Sequence, residues 1–198
     1  MIDPVRYLSN ISTGVMGFEL ARASCREGCA TTLISGPTLL KPPRGARYFS
    51  VTTSRDLEKA AHKAFPHCDV LFMTSAVCDF RPARFSARKI RRKPFLNLKL
   101  VRTPDILKNL TRRKGKRVVV GFCLETENLL ERARKKLKEK KLDYIVANFL
   151  GKGHTPFGHH RTSISLLSKD GRVLSLKDVP KLKVARFLIK IILQDKSS

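Results

Sequence analysis

The sequence predicts an α/β domain built on a doubly wound, Rossmann-like and mostly parallel sheet with helices on both faces. Apolar runs rich in β-branched residues alternate along the chain with segments of helical period, which is the pattern of such a sheet. The chain has 198 residues, of which 42% are hydrophobic, enough to bury one sizeable core. We therefore expect a single domain over residues 1–198.

The predicted elements follow one another in a regular order. Strands are expected at 30–35, 48–52, 69–75, 117–122 and 143–148, and helices at 14–27, 54–65, 104–113 and 127–141. Thr13 is expected to cap the first helix, Ser54 to begin the second, and Pro104 to occupy the first position of the third. A C-terminal hairpin at 162–168 and 172–176 turns at Asp170 and Gly171, and a closing helix is expected at 179–193.

Three features interrupt this alternation. A doubly wound fold normally feeds its first phosphate-binding helix from a central strand, but no strand precedes the first helix here, so we expect the first strand of the fold to be missing. Residues 80–94 are rich in Arg, Lys and Pro and directly follow a strand, which predicts a mobile basic lid at about 80–95. A Gly/His loop is expected at 151–161.

The net charge of +25 would attract polyanions without any specific site. It is compatible with a nucleic-acid-binding protein or with an enzyme whose substrates carry phosphates. The basic clusters, at 89–93, 112–117 and 132–141, are spread along the chain, Trp is absent, and no RNP-type stretch supplies base stacking. Together with the motifs described below, this favours the enzyme, with no specific nucleic-acid partner.

Other classes of protein are disfavoured by what the sequence lacks. No run approaches the roughly 18 apolar residues of a membrane span, and no signal peptide is evident, so we expect a cytoplasmic protein. The five cysteines include no Cys-x-x-Cys pair, and His159 and His160 have no partner at zinc spacing. The sequence therefore predicts neither a metal site nor a covalent nucleophile.

Residues 10–17 (NISTGVMG) place hydroxyls and glycines where a loop becomes a helix. Backbone N–H groups and the positive end of the helix dipole can receive phosphate oxygens there. When it stands alone, such a stretch is more often ordinary helix capping than a binding site. The segment is not a Walker loop, and it lacks the complete dinucleotide-binding glycine pattern.

Residues 75–82 (SAVCDFRP) follow a strand at the edge where open α/β sheets bind ligands. Small residues let a ligand approach the backbone, and Asp79 can accept hydrogen bonds. A plain polar loop is the alternative. Lys89 in the lid, and Lys136 and Lys140 beside the apolar stripe of the fourth helix, are either solvated or bind phosphate.

In order along nearly the whole chain, these motifs resemble the phosphopantothenate–cysteine ligase (phosphopantothenoylcysteine synthetase) family. The matching segments are 3–17, 32–37, 75–83 with 89–92, 103–107, 119–128, 133–148 and the closing helix. The resemblance implies that the carboxylate of 4′-phosphopantothenate attacks the α-phosphate of CTP or ATP, which is accompanied by Mg²⁺. L-cysteine then attacks the acyl-nucleotidylate to complete the amide.

The resemblance also implies roles for individual residues. Asn10 would hold the acyl-nucleotidylate, Lys89 would act in catalysis, and Arg6 would reach the phosphopantothenate of a neighbouring subunit in a homodimer. Substrate contacts would fall on Ser75, Ala76 and Asp79. Nucleotide contacts would fall on Ser12, Gly14, Gly17, Pro104, Asp105, Ile106, Leu107, Phe122, Lys136, Lys140 and Asn148. Fused relatives carry a phosphopantothenoylcysteine decarboxylase, which makes a separate decarboxylase a candidate partner.

Several positions depart from the family pattern. The family's first strand and Gly-Gly-Thr loop are absent, Val15 replaces a usual Lys or Arg, and Phe149 stands where an Asp is common. A non-catalytic nucleotide-binding homologue is therefore the first alternative, and a basic nucleic-acid-binding protein is the second. A nicotinamide oxidoreductase is disfavoured because no acidic residue follows the Gly loop at ribose-binding spacing.

Overall fold

The computed structural model describes residues 1–151, 158 and 161–197. The helices are α1 (Val15–Arg26), α2 (Ser54–Ala64), α3 (Ile106–Thr111), α4 (Leu129–Glu139) and α5 (Lys181–Ser197), with a 3-10 turn at Phe65–His67. The strands are β1 (Thr31–Ser35), β2 (Ala46–Ser50), β3 (Val70–Met73), β4 (Phe80–Pro82), β5 (Leu100–Arg102), β6 (Val118–Glu125), β7 (Tyr144–Phe149), β8 (Thr162–Ser168) and β9 (Val173–Val179). Most of the predicted Gly/His loop, including His159 and His160, lies outside the described residues.

The central sheet has the strand order β3-β6-β7-β8-β9. β3, β6 and β7 run parallel, and the antiparallel β8–β9 hairpin extends the sheet. β1 and β2 form a separate parallel pair. A doubly wound sheet normally places the strand ahead of its first helix between these two halves, and the described residues before α1 contain no strand. The predicted fold class is confirmed, and its parallel strands are divided at this position.

Helices cover both faces of the central sheet, as the sequence predicts. Successive side chains of a strand point to opposite faces. Val120 and Val146 accordingly pack in the cluster that contains α1 and α5, while their neighbours Val119 and Ile145 pack in the cluster that contains α2, α3 and α4. Two apolar layers therefore hold the sheet in place and leave its edges for function.

Two of the predicted helix starts are wrong. The residue that precedes α1 is Gly14, at φ 77°, and no side chain caps the helix there, so Thr13 does not act as its cap. Pro104 is not the first residue of α3, because Asp105 caps that helix by accepting a hydrogen bond from the Lys108 N–H at 3.0 Å. A left-handed glycine and a carboxylate each replace the cap that the local pattern suggests.

Other element boundaries differ slightly from the prediction. Ser54 does begin α2, and Thr53 caps it in a capping box with Asp56. β2 begins two residues earlier than expected, and β9 continues to Val179, so that α5 begins only after Pro180. No helix in the described part of the chain is long and apolar enough to cross a membrane.

The predicted basic loop at 80–94 begins as a strand, so its description as a loop throughout is wrong. β4 pairs antiparallel with β5 to form a small ribbon. The Ala83 N–H donates to the Lys99 carbonyl at 2.8 Å, and the Thr103 N–H donates to the Asp79 carbonyl at 2.7 Å. Pro82 and the three-residue strands hide this pairing, since proline argues against a strand interior. Mobility of the lid stays a prediction.

Candidate active site

The side chain of Asn10 joins two predicted motifs that are distant in sequence. Its Nδ2 donates to the Val77 carbonyl at 3.3 Å and lies 3.5 Å from the Ala76 carbonyl. The Cys78 thiol donates to Asn10 Oδ1 at 3.4 Å. Asn10 and the loop after β3 thus form one exposed surface at the carboxyl end of a parallel strand, where open sheets bind ligands.

Cys78 is a member of this surface that the predicted site residues do not include. Its position inside the motif at 75–82 was the only available signal, because a lone cysteine has no distinctive spacing. Ser75 and Asp79 are exposed at either end of the same loop. Nothing buries these polar groups, so they remain accessible to a substrate.

The first turn of α1 approaches the same loop closely. A Cβ atom on Gly17 would lie 2.9 Å from Thr74 Oγ1, which is closer than such contacts allow. Gly14, at φ 77°, begins the helix in a left-handed conformation, and Ser12 before it is exposed. Glycine at position 17 lets the first turn of α1, whose N–H groups have no helical partner, lie against Thr74 next to Ser75.

Two predicted nucleotide-binding lysines are held by carboxylates. Lys136 Nζ lies 2.6 Å from Glu125 Oε1, and Arg132 approaches the other oxygen of this buried carboxylate at 3.5 Å. Glu125 ends β6, so it fixes two cations of α4 beside the carboxyl edge of the sheet. Sequence reasoning missed Glu125, because its contacts with cations 7 and 11 residues away form only when α4 packs beside the end of β6.

Lys140 is paired with Asp105, so two predicted contacts lie together. The Lys140 Nζ to Asp105 Oδ2 distance is 2.9 Å. Partial burial would raise the pKa of Asp105, but the Lys108 N–H and the Lys140 ammonium hold that pKa below its usual value. Asp105 is therefore an ionised helix cap that orients Lys140.

Two buried polar atoms near these elements have no hydrogen-bond partner in the described part of the chain. Asn148 Nδ2 donates to Thr162 Oγ1 at 2.8 Å, but its Oδ1 is unpaired. Thr103 Oγ1, next to Pro104, is also buried and unpaired. An unpaired buried polar atom costs about 1–3 kcal/mol, which a bound ligand or water would offset. Asn148 and the 103–107 segment therefore offer binding groups.

The remaining predicted nucleotide contacts differ in accessibility. Ile106 and Leu107 are buried in the core below the site, so only their backbone can face a ligand, while Pro104 is exposed. Phe122 is half-buried and packs against the cluster that contains α5. The side chains of Ile106, Leu107 and Phe122 therefore support the site from the core and do not form an exposed binding face.

Arg6 and the lid form a second cluster. The Arg6 Nε donates to Asp3 Oδ2 at 2.9 Å, and its NH2 donates to the Ile90 carbonyl at 2.8 Å. Lys89 is exposed, and no hydrogen bond among the described residues joins it to Asn10 or Asp79. The structure therefore brings Arg6 to the lid but does not join Lys89 to the Asn10 surface.

Within the described ranges, no group of three or more His, Cys, Asp or Glu side chains could hold a metal ion. A magnesium ion that travels with a triphosphate needs no such cluster, because phosphate oxygens and water supply most of its ligands. A cavity of about 460 Å³ lies at the other edge of the sheet, lined by Arg134, Lys138, Lys141 and Leu142 among others. Its lining includes residues of α4 that neighbour Lys136 and Lys140, but none of the predicted site residues themselves.

The chain is similar to known proteins over nearly its whole length. Residues 1–195 match the family model described as the DNA/pantothenate metabolism flavoprotein C-terminal domain. The chain is 36% identical over 196 residues to the coenzyme A biosynthesis bifunctional protein CoaBC of Borreliella burgdorferi, and 38% identical over 186 residues to that of Bacillus subtilis. These alignments cover 97% and 93% of the chain but 49% and 46% of the relatives, so the chain spans about half of their length.

Solved structures support the same fold. A crystal structure of the C-terminal domain of a CoaBC protein superposes with a TM-score of 0.82 at 34% identity, covering 98% of this chain and 90% of that one. A complex of Cab2 with phosphopantothenate-cysteine superposes with a TM-score of 0.75 at 15% identity, covering 98% of this chain and 80% of that one. At that identity, the second likeness concerns the fold alone.

Proposed function

We propose a function for this chain from the premise that it belongs to the DNA/pantothenate metabolism flavoprotein C-terminal domain family. The chain joins 4′-phosphopantothenate to L-cysteine in coenzyme A biosynthesis. The nucleotide co-substrate is CTP or ATP with its magnesium ion. The pantothenate carboxylate displaces pyrophosphate to form an acyl-nucleotidylate, and the cysteine amine then displaces the nucleoside monophosphate. The contact between Asn10 and the loop after β3 is the observation that carries this proposal.

The chemistry assigned to Asn10 follows from its amide. A neutral amide N–H can donate to the oxygen on which negative charge develops during acyl transfer, and such a donor contributes most when it is already oriented. The Val77 carbonyl at 3.3 Å and the Cys78 thiol at 3.4 Å orient the Asn10 amide, and its nitrogen carries a second N–H that can donate to a substrate. Asp79, exposed at the end of the same loop, is assigned to a hydroxyl or amide group of phosphopantothenate.

The cations are assigned to the phosphates. The N-terminus of α1, with Ser12, Gly14 and Gly17, offers backbone N–H groups to the triphosphate. Lys136 and Lys140 add fixed positive charge because Glu125 and Asp105 hold them. Lys89 on the lid neutralises the charge that develops on the departing pyrophosphate.

A homodimer is part of the proposal. The β4–β5 ribbon and the lid expose large apolar side chains, namely Phe80, Phe85, Phe95, Leu96, Leu98 and Leu100. An exposed apolar patch of this kind is typical of a protein interface. The proposed partner is a second copy of this chain, across which Arg6 reaches phosphopantothenate.

A decarboxylase partner is part of the proposal. The CoaBC relatives are bifunctional proteins by name, and this chain spans about half of their length. The product, phosphopantothenoylcysteine, would pass to a separate phosphopantothenoylcysteine decarboxylase. The chain itself is assigned the ligase step alone.

Pyrophosphate release tests the proposed function. The protein is incubated with phosphopantothenate, cysteine, Mg²⁺ and either CTP or ATP, and release that depends on phosphopantothenate supports the proposal. No release with either nucleotide refutes catalysis by this chain. Asn10→Asp should abolish product formation, whereas Asn128→Asp, the same change at an exposed position whose side chain makes no cap hydrogen bond, should not. Equal turnover in the two variants removes Asn10 from the mechanism.

A non-catalytic nucleotide-binding homologue is the second candidate. Val15 favours it, because a buried apolar side chain stands in the loop where the family commonly has a Lys or Arg. Calorimetry with CTP and ATP distinguishes the two: binding at micromolar nucleotide without pyrophosphate release would favour the homologue.

A further inference from the structure

The carboxylate of Asp3 is the most completely hydrogen-bonded acidic group of the described chain, and the proposed mechanism does not use it. Its side chain is 0% exposed. Oδ1 accepts from the Val5 N–H at 2.9 Å and the Arg6 N–H at 2.8 Å. Oδ2 accepts from Arg6 Nε at 2.9 Å, from Arg6 NH2, and from the Ile90 N–H at 3.1 Å. The Arg6 guanidinium holds the pKa of Asp3 far below its usual range.

Three interactions among Asp3, Arg6 and the backbone of Ile90 in the lid form a closed arrangement. The Ile90 N–H donates to Asp3, and the Ile90 carbonyl accepts from Arg6 NH2 at 2.8 Å. The Asp3–Arg6 ion pair completes the arrangement. A further hydrogen bond, from the Ser86 N–H to the Ile2 carbonyl at 3.0 Å, joins the same two segments. The N-terminal turn is therefore attached to the lid at two points.

The lid needs such an anchor because of its charge. Residues 84–93 carry six cationic side chains, Arg84, Arg88, Lys89, Arg91, Arg92 and Lys93, and residues 80–104 contain no Asp or Glu. Like charges repel one another and the other basic segments. Charge-assisted hydrogen bonds between the Asp3–Arg6 pair and the backbone of Ile90 hold the lid against this repulsion.

We infer that Asp3 is a positioning residue that latches the basic lid to the N-terminal turn and so sets the distance between Lys89 and Asn10. Lys89 immediately precedes the latched Ile90, and Asn10 lies four residues beyond Arg6. The same carboxylate therefore orients both segments. The catalytic part of this inference rests on the proposed function, whereas the latch itself does not.

Hydrogen exchange measured by mass spectrometry tests the latch without any activity assay. In Asp3→Asn, an NH2 group replaces one carboxylate oxygen and cannot accept hydrogen bonds from the N–H groups of the lid or of Arg6. Within the peptide 84–93, exchange of the two amides that the latch holds, those of Ser86 and Ile90, should become at least about tenfold faster. Asp178→Asn, which changes an exposed carboxylate paired with Arg161, is the matched control and should leave that peptide unchanged. Equal exchange in both variants would overturn the latch.

Steady-state kinetics tests the positioning role. Asp3→Asn should lower kcat at least about tenfold and raise the KM for the triphosphate, with the KM for cysteine nearly unchanged. A loss of folded protein would lower the apparent kcat alone and leave both KM values as they are, which would refute positioning.

A second variant covers the case in which Asp3→Asn does not fold. Arg6→Lys keeps the positive charge but loses the fork that contacts Asp3 and Ile90 together, so it should also speed exchange at 84–93. If the parent protein has no ligase activity, the proposed function fails while the exchange result still decides the latch. An unchanged lid in a folded Arg6→Lys variant would count against it.

Discussion

Asp143→Asn would remove a buried negative charge that three groups stabilise. Asp143 Oδ2 accepts from Lys114 Nζ at 2.7 Å and from the Val119 N–H at 2.9 Å, and Oδ1 accepts from Lys169 Nζ at 3.0 Å. The Asp143 side chain is 7% exposed, Lys114 is 22% exposed and Lys169 is 70% exposed. Asparagine keeps one acceptor oxygen, but its NH2 group then faces the hydrogen-bond donors that contacted the other carboxylate oxygen.

The cost follows from these contacts. Hydrogen bonds to a charged group contribute about 1.5–3 kcal/mol each when buried, and the exposed Lys169 contact adds less than about 1 kcal/mol because of solvent screening. Because asparagine retains one acceptor, we expect a loss of about 3 kcal/mol in the free energy of unfolding. For a chain of this size that corresponds to a melting temperature about 6–12 °C lower.

Urea unfolding at pH 7, followed by circular dichroism, measures this loss. Asp69→Asn is the matched control, since that carboxylate is 83% exposed and its change should have little effect. If the two variants unfold at the same urea concentration, the buried charge does not stabilise the fold and the reasoning is wrong.

The pH dependence of the same variant provides an independent check. Burial would raise the pKa of Asp143, but Lys114, the Val119 N–H and Lys169 together hold it below its usual value. A depressed folded-state pKa gives stability that is present above the unfolded pKa of about 4 and is lost as the pH falls toward the folded value. The difference between the parent protein and Asp143→Asn should therefore shrink below about pH 4. A constant difference down to about pH 2 would contradict the assignment.

Three further predictions concern the core and the site. Leu188→Ala, at a 0% exposed position of α5, should cost about 2–5 kcal/mol in urea unfolding, and a smaller loss would mean that the surrounding cluster collapses into the cavity. Gly14→Ala should lower the free energy of unfolding by about 1–2 kcal/mol because φ is 77° there, and it should weaken nucleotide binding in calorimetry. A variant as stable as the parent protein would contradict the left-handed start of α1. Glu125→Gln should raise the KM for the triphosphate about tenfold by releasing Lys136. Glu127 is exposed, so Glu127→Gln should leave this KM unchanged. Equal KM values in the two variants would refute the positioning of Lys136.

Local pattern was enough to predict most elements. The alternation of apolar runs and helical periods depends on residues close in the chain, so the five parallel-type strands, the four main helices, the hairpin and the closing helix were located near their positions in the structure. The family resemblance at the motifs of 3–17 and 75–83 was likewise readable from order and spacing, and the family comparison confirmed it.

Features that depend on contacts between distant residues were not predictable in this way. The two helix starts were missed for a local reason: Gly14 takes a left-handed conformation without any side-chain cap, and Asp105 accepts from the Lys108 N–H where Pro104 was expected to begin the helix. The β4–β5 ribbon was missed because each strand has three residues and one contains proline. Its pairing arises only when the two segments meet.

The sequence by itself determined the fold class, the family and the segments in which binding groups lie. Only the tertiary structure decided which side chains meet: Asn10 with the loop after β3, Glu125 with Lys136, and Asp3 with Ile90 of the lid. The physical reason is range. Periodicity and turn chemistry act over a few residues, whereas these hydrogen bonds join groups 67, 11 and 87 positions apart, whose proximity depends on the packing of both faces of the sheet.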